Sequence, residues 1–562
     1  MNGIVDLFDL VPNQEPVSDI AVIEAIKVAA PRKAKKAAKV IESKEPKPVY
    51  KTYEDFDFTK LQQYAGLDCI ATSEILARQF PLIIEEPEYV IPNDKGGMVK
   101  TKAPAIIKCA TEIEMKAHEY IVDMELNGIA YDVEENRRID ARMKAELLEL
   151  DDKIATAIGK TIDMNSPTDI GKLLYGELGF EAPFKTKTGD NALDGDALLT
   201  LAGLDPTSGI YVAPDPRLQY LCDMAKRRDI SSVHNTFIRT YIDDWVKRDG
   251  RVHPSYNLVG TSGFRISGDS PNLLQLPRPR HGYNVRDCYT VPQGYIFVAA
   301  DFSSAEVKVV ANLCKDRNMI KAINDGLDFH SFSGSNLLGI PYADFLAAVK
   351  DKTHPDHKKC KHYRQVCKIL TFSIIYGSSE GGIAMQLNVD KAEAARLMAL
   401  YFDTYPGLKK FIDESHKIAM WNQMVVTPFG QRKKEYGAHK VFKSTAAYNA
   451  ALRNSANVRV QSTTSTLGLI TFTHLNDDIK QRESKSICTV YDSTEIEAPI
   501  HRAAEVVDRV FHFMEDFPME YFDFLETPIG CEVEIGTRWG NLETIHPGTS
   551  QAAIEQLIAG MV

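Results

Sequence analysis

RQVCKILTFSIIYG, residues 364–377, is the stretch from which the rest of this chain can be read. Arg364, Lys368, Phe372 and Tyr376 recur every fourth residue. With about 3.6 residues per turn they line one slowly drifting stripe of a helix. Val366, Ile369, Leu370 and Ile374 fill the other face, which can pack inward. Cations one turn apart, followed by aromatic rings, suit a ligand with a polyphosphate at one end and a flat base at the other. The cations neutralise phosphate oxygens, and the rings offer faces for stacking. Each residue alone also fits a surface helix with a basic end and a half-buried aromatic end. The set in register, ahead of a Tyr-Gly exit, points to a nucleotide.

With 562 residues the chain can hold several domains, and its 44% apolar and 25% charged residues are those of a soluble globular protein. Nine cysteines are scattered without a C-x-x-C pair, an odd total that indicates neither a disulfide framework nor a zinc site and fits a reducing cytoplasm. No run of about 18 apolar residues is present to cross a bilayer. The opening MNGIVDLFDL has no basic cluster, so no signal or transit peptide is expected. The net charge of −11 argues against a nucleic-acid partner until charge is located: from Asp351 to Lys368 six Lys/Arg and three His stand against two Asp, a basic patch leading into the key helix.

The other motifs follow in chain order. Residues 1–48 carry PRKAKKAAKVIESKEPKP and read as a basic, weakly ordered tail. A long amphipathic helical pattern starts near 112 and breaks at Asn127-Gly128. From 251 short strands and turns take over, with Arg265 in a Gly/Ser-rich loop where a guanidinium can reach acceptors of a nucleic acid, and Asn272 and Gln275 behind Pro271. Residues 295–300 form a continuous apolar run suited to a buried strand, and Asp301 falls at its end, just before a helix starting near Ser304. A carboxylate fixed there can hold Mg²⁺ together with substrate phosphates. LMALYFDTYPGLKKFIDESHKIA reads as amphipathic helix. Arg453, Asn457 and Gln461 recur at i, i+4 and i+8, a polar stripe able to follow base edges in a minor groove. SICTVYDSTEIEAP alternates on both sides of Tyr491-Asp492-Ser493 and reads as a hairpin presenting Asp492, and a small helix closes the chain.

From about 105 to 545 these motifs, in this order, resemble family A DNA polymerases, the group of bacterial DNA polymerase I and several phage replicative enzymes. The resemblance implies an α+β, multidomain right-hand fold: a palm with an antiparallel sheet, helical fingers and a helical thumb. It implies template-directed extension of a primer 3′-OH with dNTPs, using two Mg²⁺ ions, or Mn²⁺. Asp301 and Asp492 would be the metal-binding carboxylates, with Phe302 lending its carbonyl. Glu306 matches the residue that fills the space of a ribose 2′-hydroxyl, and His330 one near the incoming triphosphate. Arg364 and Lys368 would hold the triphosphate, Lys368 also serving as general acid to the leaving pyrophosphate. Phe372 would pack on the sugar and Tyr376 border the template base; Arg265, Asn272, Gln275, Arg453, Asn457 and Gln461 would contact primer-template DNA.

The sequence departs from the family pattern at Tyr491 and Ser493, where the second catalytic motif normally has His and a second acid. Tyr64 and Asp68 resemble the last motif of the family's 3′–5′ exonuclease, whose other acidic motifs are not found upstream. A truncated remnant, or proofreading by a separate exonuclease subunit, is the expectation. Ile4-Val5-Asp6-Leu7-Phe8 resembles sliding-clamp-binding peptides without their usual Gln. The implied domains are 1–48 tail, 49–104 exonuclease-like remnant, 105–255 palm lead-in and thumb, 256–318 palm, 319–445 fingers, and 446–562 palm with a C-terminal tail. Two other readings stay open. A single-subunit RNA polymerase shares the Asp-Ser pair but is opposed by Glu306 and Phe372. A catalytically inactive DNA-binding or assembly factor is favoured by the lost second acid and opposed by Asp301, Asp492, Arg364 and Lys368.

Overall fold

The apolar run at 295–300 becomes the middle of an eight-stranded sheet whose pairings are all antiparallel. A computed structural model describes residues 84–561 apart from 94–96, 105–108, 187, 207–208 and 259. The tail, the clamp-like peptide, Tyr64 and Asp68 lie outside the described residues. In chain order the sheet strands are β1 (Ile129–Tyr131), β2 (Arg251–Val252), β3 (Tyr289–Thr290), β4 (Tyr295–Phe302), β5 (Lys485–Val490), β6 (Ser493–Pro499), β7 (Cys531–Arg538) and β8 (Asn541–Ile545). They lie in the order β5-β6-β4-β7-β3-β1-β2, with β8 on β7. β4 has neighbours along both edges, so its backbone groups are paired and its side chains need bring only apolar bulk.

Alternation assigns the two faces of β4. Ile296, Val298, Ala300 and Phe302 pack into the largest core, against the long helix Ala446–Lys480. There Phe302 stacks on Phe472 at 5.6 Å between centroids. Each such fully buried side chain contributes roughly 1.5–3 kcal/mol. Phe297 and Ala299 point the other way into a second core, Phe297 stacking on Trp539 at 5.8 Å, and Asp301 follows them on that face, where the sheet's end is open. The long helix can be buried along much of its length because all its buried polar positions but Asn476 are Ser or Thr. Thr463, Thr464 and Thr473 return their hydroxyls to the carbonyls of Arg459, Val460 and Leu469 on the preceding turn.

The break read at Asn127-Gly128 separates the helix Met115–Asn127 from β1. Gly128 has φ +57°, and a Cβ there would lie 2.8 Å from the Val252 carbonyl oxygen, so the turn admits no side chain. Asp132 then caps Val133–Ile158 through the Glu135 N–H at 3.0 Å.

One expectation is corrected. The stretch read as one helix over 397–419 is two, Lys391–Thr404 and Pro406–Asn422. Pro406 excludes Tyr405 from helical geometry and opens the second helix at its first position. The described residues all fall in one compact unit, Gln79–Val562, and the hairpin Glu88–Pro92/Met98–Lys102 is docked on Pro406–Asn422. Asn422 exchanges two 2.8 Å hydrogen bonds with the Val90 backbone. Tyr89 and Ala103 share a core with Ile418 and Val425.

Candidate active site

Asp301 closes β4 opposite Ser493 of β6 on one side and Glu532 of β7 on the other. Tyr491 and Asp492 form the two-residue turn between β5 and β6, with Tyr491 at φ +60°. The Phe302 N–H donates to the Asp492 carbonyl oxygen at 3.0 Å, which locks the turn beside the end of β4. The sheet therefore carries both motif carboxylates to one edge of its open face. Asp301 keeps an exposed edge, yet surrounding protein strips it of much of its water, and Asp492, Glu532 and Glu534 repel its charge, so its pKa is pushed up to about 7. Burial also raises Asp492, with Glu306 adding to the rise and Arg265 opposing it. Ionised, these carboxylates repel each other, an arrangement that a divalent cation would relieve. Among the described residues no group of three or more His, Cys, Asp or Glu side chains is arranged to hold a metal. A metal here would rely on Asp301, Asp492 and oxygens from elsewhere.

Glu306, on the first turn of the helix Ala305–Cys314, is buried and joins the two halves of the site. It accepts a hydrogen bond from the Tyr376 hydroxyl at 2.5 Å and an ion pair from Arg265. The Arg265 guanidinium also lies over the Tyr491 ring, 5.6 Å from its centroid. Burial, then the hydrogen bond to the Glu306 carboxylate, pushes the Tyr376 hydroxyl up to about 12, so it stays a donor. Arg265, read from sequence as reaching the primer end, is here held by Glu306. Asn272 likewise turns to its own chain and caps the Leu274 N–H at 3.1 Å, while Gln275 stays exposed.

The key helix spans His357–Ile375, with Tyr376 just beyond it as its C-cap. Val366, Leu370 and Ile374 are buried as the periodicity predicts. Phe372 and Tyr376 stack at 6.2 Å, and His330 approaches Phe372 at 6.0 Å. Lys368 is exposed. Arg364 is gripped by Asp328, its Nε at 2.7 Å and Nη2 at 3.1 Å from the carboxylate. Despite burial, which raises it, that grip and the Ser331 hydroxyl hold the Asp328 carboxyl below its usual range. Burial lowers His330 to about 4, with Asp328 opposing and Arg364 and Lys368 adding to the fall, so the imidazole is neutral at pH 7. Its buried Nδ1 has no hydrogen-bond partner among the described residues. Asp328 and His330 line one side of a cleft whose other side is Ser303, Ser304, Gly530 and Glu532.

Gly377, at φ +72°, brings the end of this helix against the long helix. A Cβ there would meet the Arg453 Cα and carbonyl oxygen at 3.0 Å. Arg453 is exposed on the long helix, whereas Asn457 and Gln461 are half-buried and the buried Asn457 Oδ1 has no hydrogen-bond partner among the described residues.

Residues 133–541 match DNA polymerase family A. The chain belongs to that family. This family A chain is 26% identical over 452 residues to DNA polymerase I of Chloroflexus aurantiacus, covering 79% of this chain and 44% of that protein. It is 26% identical over 431 residues to the thermostable DNA polymerase I of Thermus aquaticus, covering 76% and 48%. It thus spans about half the length of the curated relatives it matches. Among solved structures, the polymerase domain of Pol1 from M. smegmatis, in complex with DNA primer-template and dNTP, matches with a TM-score of 0.66 at 26% identity. That match covers 76% of this chain and 70% of that one. The family A fold fits the antiparallel sheet and the helical layers around it.

The sequence reading missed Glu495. It shares one face of β6 with Ser493, is buried there, accepts the Ser493 hydroxyl at 2.8 Å, and lies in a cross-strand row with Ala299 and Glu534. Its signal was the period-2 spacing of Ser493, Glu495 and Glu497, which places all three on one face. Burial pushes Glu495 up from 4.5 to about 8. An acid whose folded pKa lies above its unfolded value binds its proton more tightly when folded. Stability therefore falls as pH rises from about 4.5 to about 8. Glu495→Gln, similar in shape and uncharged, is expected to be more stable than the wild type at pH ~9 by about a few kcal/mol. At pH ~4 the two should melt together, and a gain persisting there would show that the charge is not the cause.

Proposed function

We propose that this chain is a DNA-directed DNA polymerase, extending a primer 3′-hydroxyl with dNTPs on a DNA template by phosphoryl transfer. The observation that carries the reading is the junction at Glu306. The residue five positions after Asp301 hydrogen-bonds Tyr376 at the end of the phosphate-and-base helix and pairs with Arg265, which lies over Tyr491 beside Asp492. Residues from motifs identified separately in the sequence thus meet at this junction. Supported by the family membership, the main sheet is assigned as palm, the helices within 319–445 as fingers, and those within 105–255 as palm lead-in and thumb.

Asp301 and Asp492, with the Phe302 carbonyl, would hold two divalent ions, Mg²⁺ or Mn²⁺, which would lower the pKa of the primer hydroxyl and neutralise phosphate charge. Neutral His330 and the cations Arg364 and Lys368 receive the triphosphate, which takes over the guanidinium that Asp328 grips in its absence. Phe372 packs against the sugar, and the Glu306 carboxylate stands where a 2′-hydroxyl would have to fit.

Primer extension with Mg²⁺, comparing the four dNTPs with the four NTPs, tests this reading. Extension by dNTPs alone is expected. Extension by NTPs would move the chain to the RNA polymerase reading, and binding of primer-template without extension by either set would favour a scaffold. Phe372 offers no hydroxyl to replace a missing 3′-OH, so dideoxynucleotides are expected to enter at least about tenfold less efficiently than dNTPs. Phe372→Tyr should narrow the gap, and a wild-type ratio near unity would contradict the role given to Phe372.

A further inference from the structure

Where Pro406–Asn422 ends and the hairpin Met424–Val426/Arg432–Lys434 leads into the long helix, several large side chains face solvent. Trp421 is 63%, Tyr436 65% and Phe442 43% exposed. Single exposed rings are ordinary, but these three fall within 22 residues of chain around one hairpin. The Glu435 N–H donates to the Gln423 carbonyl at 2.7 Å, so Tyr436 leaves the hairpin beside the turn that follows Trp421. The Tyr448 hydroxyl lies 2.9 Å from the Met420 sulfur and ties the start of the long helix to the same helix end.

The surroundings are basic in an acidic chain. From Arg432 to Lys443 five Lys/Arg stand against one acid, Glu435, which is buried. Lys440 and Lys443 are exposed, as is Lys417 one turn before Trp421. Exposed rings among cations match the chemistry of an unpaired nucleic-acid strand, whose base faces stack on the rings while its phosphates meet the lysines. A duplex hides its base faces and would leave the rings unused.

The patch is also continuous with the site. A groove lined by Gly377, Ser379, Arg453, Asn449 and His416 starts where the key helix ends. Met420 lies one helical turn beyond His416, and Tyr448 adjoins Asn449. We propose that Trp421, Tyr436 and Phe442, with Lys440 and Lys443, hold the unpaired 5′ extension of the template ahead of the insertion site. The identity of the strand rests on the polymerase reading.

The test measures, by fluorescence anisotropy with the full chain and no nucleotide, affinity for primer-templates with about 2 or about 12 unpaired template nucleotides, a span set by the usual size of single-strand sites. The wild type is expected to bind the long overhang at least about tenfold more tightly. The Trp421→Ala/Tyr436→Ala/Phe442→Ala variant should lose that advantage. It should still bind the short overhang within about twofold of wild type and add one nucleotide to it at the wild-type rate. Lys440→Ala/Lys443→Ala should reduce the salt dependence of long-overhang binding by a slope of about one to two. Equal wild-type affinity for both overhangs, equal weakening of both in the variants, or the same advantage from a base-paired extension would overturn the assignment. Failure to extend even the short-overhang primer would overturn the polymerase reading instead; the binding difference decides the patch by itself.

Discussion

Asp492→Asn is expected to slow single-nucleotide primer extension by at least about a thousandfold, a loss of about 4 kcal/mol of transition-state stabilisation, while primer-template affinity stays within a few-fold of wild type. Asparagine keeps the shape of the side chain and removes its charge, so the turn locked by the Phe302 N–H, which bonds the backbone carbonyl of residue 492, should persist. Asp301→Asn should behave alike. The folded protein gives an independent check. Burial and the neighbouring Asp492, Glu532 and Glu534 raise Asp301 to about 7, so its ionised form is less favourable in the folded chain than in the unfolded one. Stability is then lost as pH rises from about 4 towards 7, and Asp301→Asn should melt above the wild type at pH ~8 in the absence of divalent ions. A purely structural carboxylate would give the opposite pair of results: a lower melting temperature and nearly normal extension. Extension within about tenfold of wild type in either variant would remove these carboxylates from the chemistry.

The parts of this structure that were legible in the sequence are those whose cause is local. The six residues of Tyr295–Ala300 announce a buried strand by an unbroken apolar run, and the acid that follows it had to emerge near the strand's end. Alternation around Tyr491-Asp492 specifies a hairpin for the same reason, and Gly128 marks a turn because a Cβ would strike the neighbouring strand. Pro406 was equally local, and its break of the helical run was there to be read.

What could not be read are the partners that folding supplies from a distance. Arg265 and Glu306 lie 41 residues apart, and Tyr376 is 70 beyond Glu306, so no periodicity links them. Asp328 likewise reaches Arg364 across 36 residues. The docking of the 84–104 hairpin on Asn422 spans 332 residues and rests on paired backbone hydrogen bonds that any amide side chain could make. A sequence lists candidate cations and carboxylates; the fold decides which of them meet.

That division bears on the two cations of the key helix. Arg364 is gripped at both ends of its guanidinium by Asp328, whereas Lys368, one turn further on, stands exposed. Lys368→Ala is therefore expected to lower the maximal single-turnover rate of dNTP addition by about 10²–10⁴-fold, the range of a lost general acid. Lys368→Arg separates the two jobs assigned to this residue. A guanidinium keeps the positive charge but holds its proton at pKa values above about 12, so it can bind a triphosphate and is poorly suited to release a proton to pyrophosphate. The Arg variant should recover dNTP affinity to within a few-fold of wild type while its rate stays close to that of the Ala variant. Pre-steady-state measurements of rate against dNTP concentration give both quantities at once. Full recovery of the rate in Lys368→Arg would reduce the role of Lys368 to charge alone, and an Ala variant impaired only in affinity would do the same. The sequence interval of four residues puts both cations on one stripe, but only the ion pair at Asp328 distinguishes the one that is already anchored from the one free to move with the substrate.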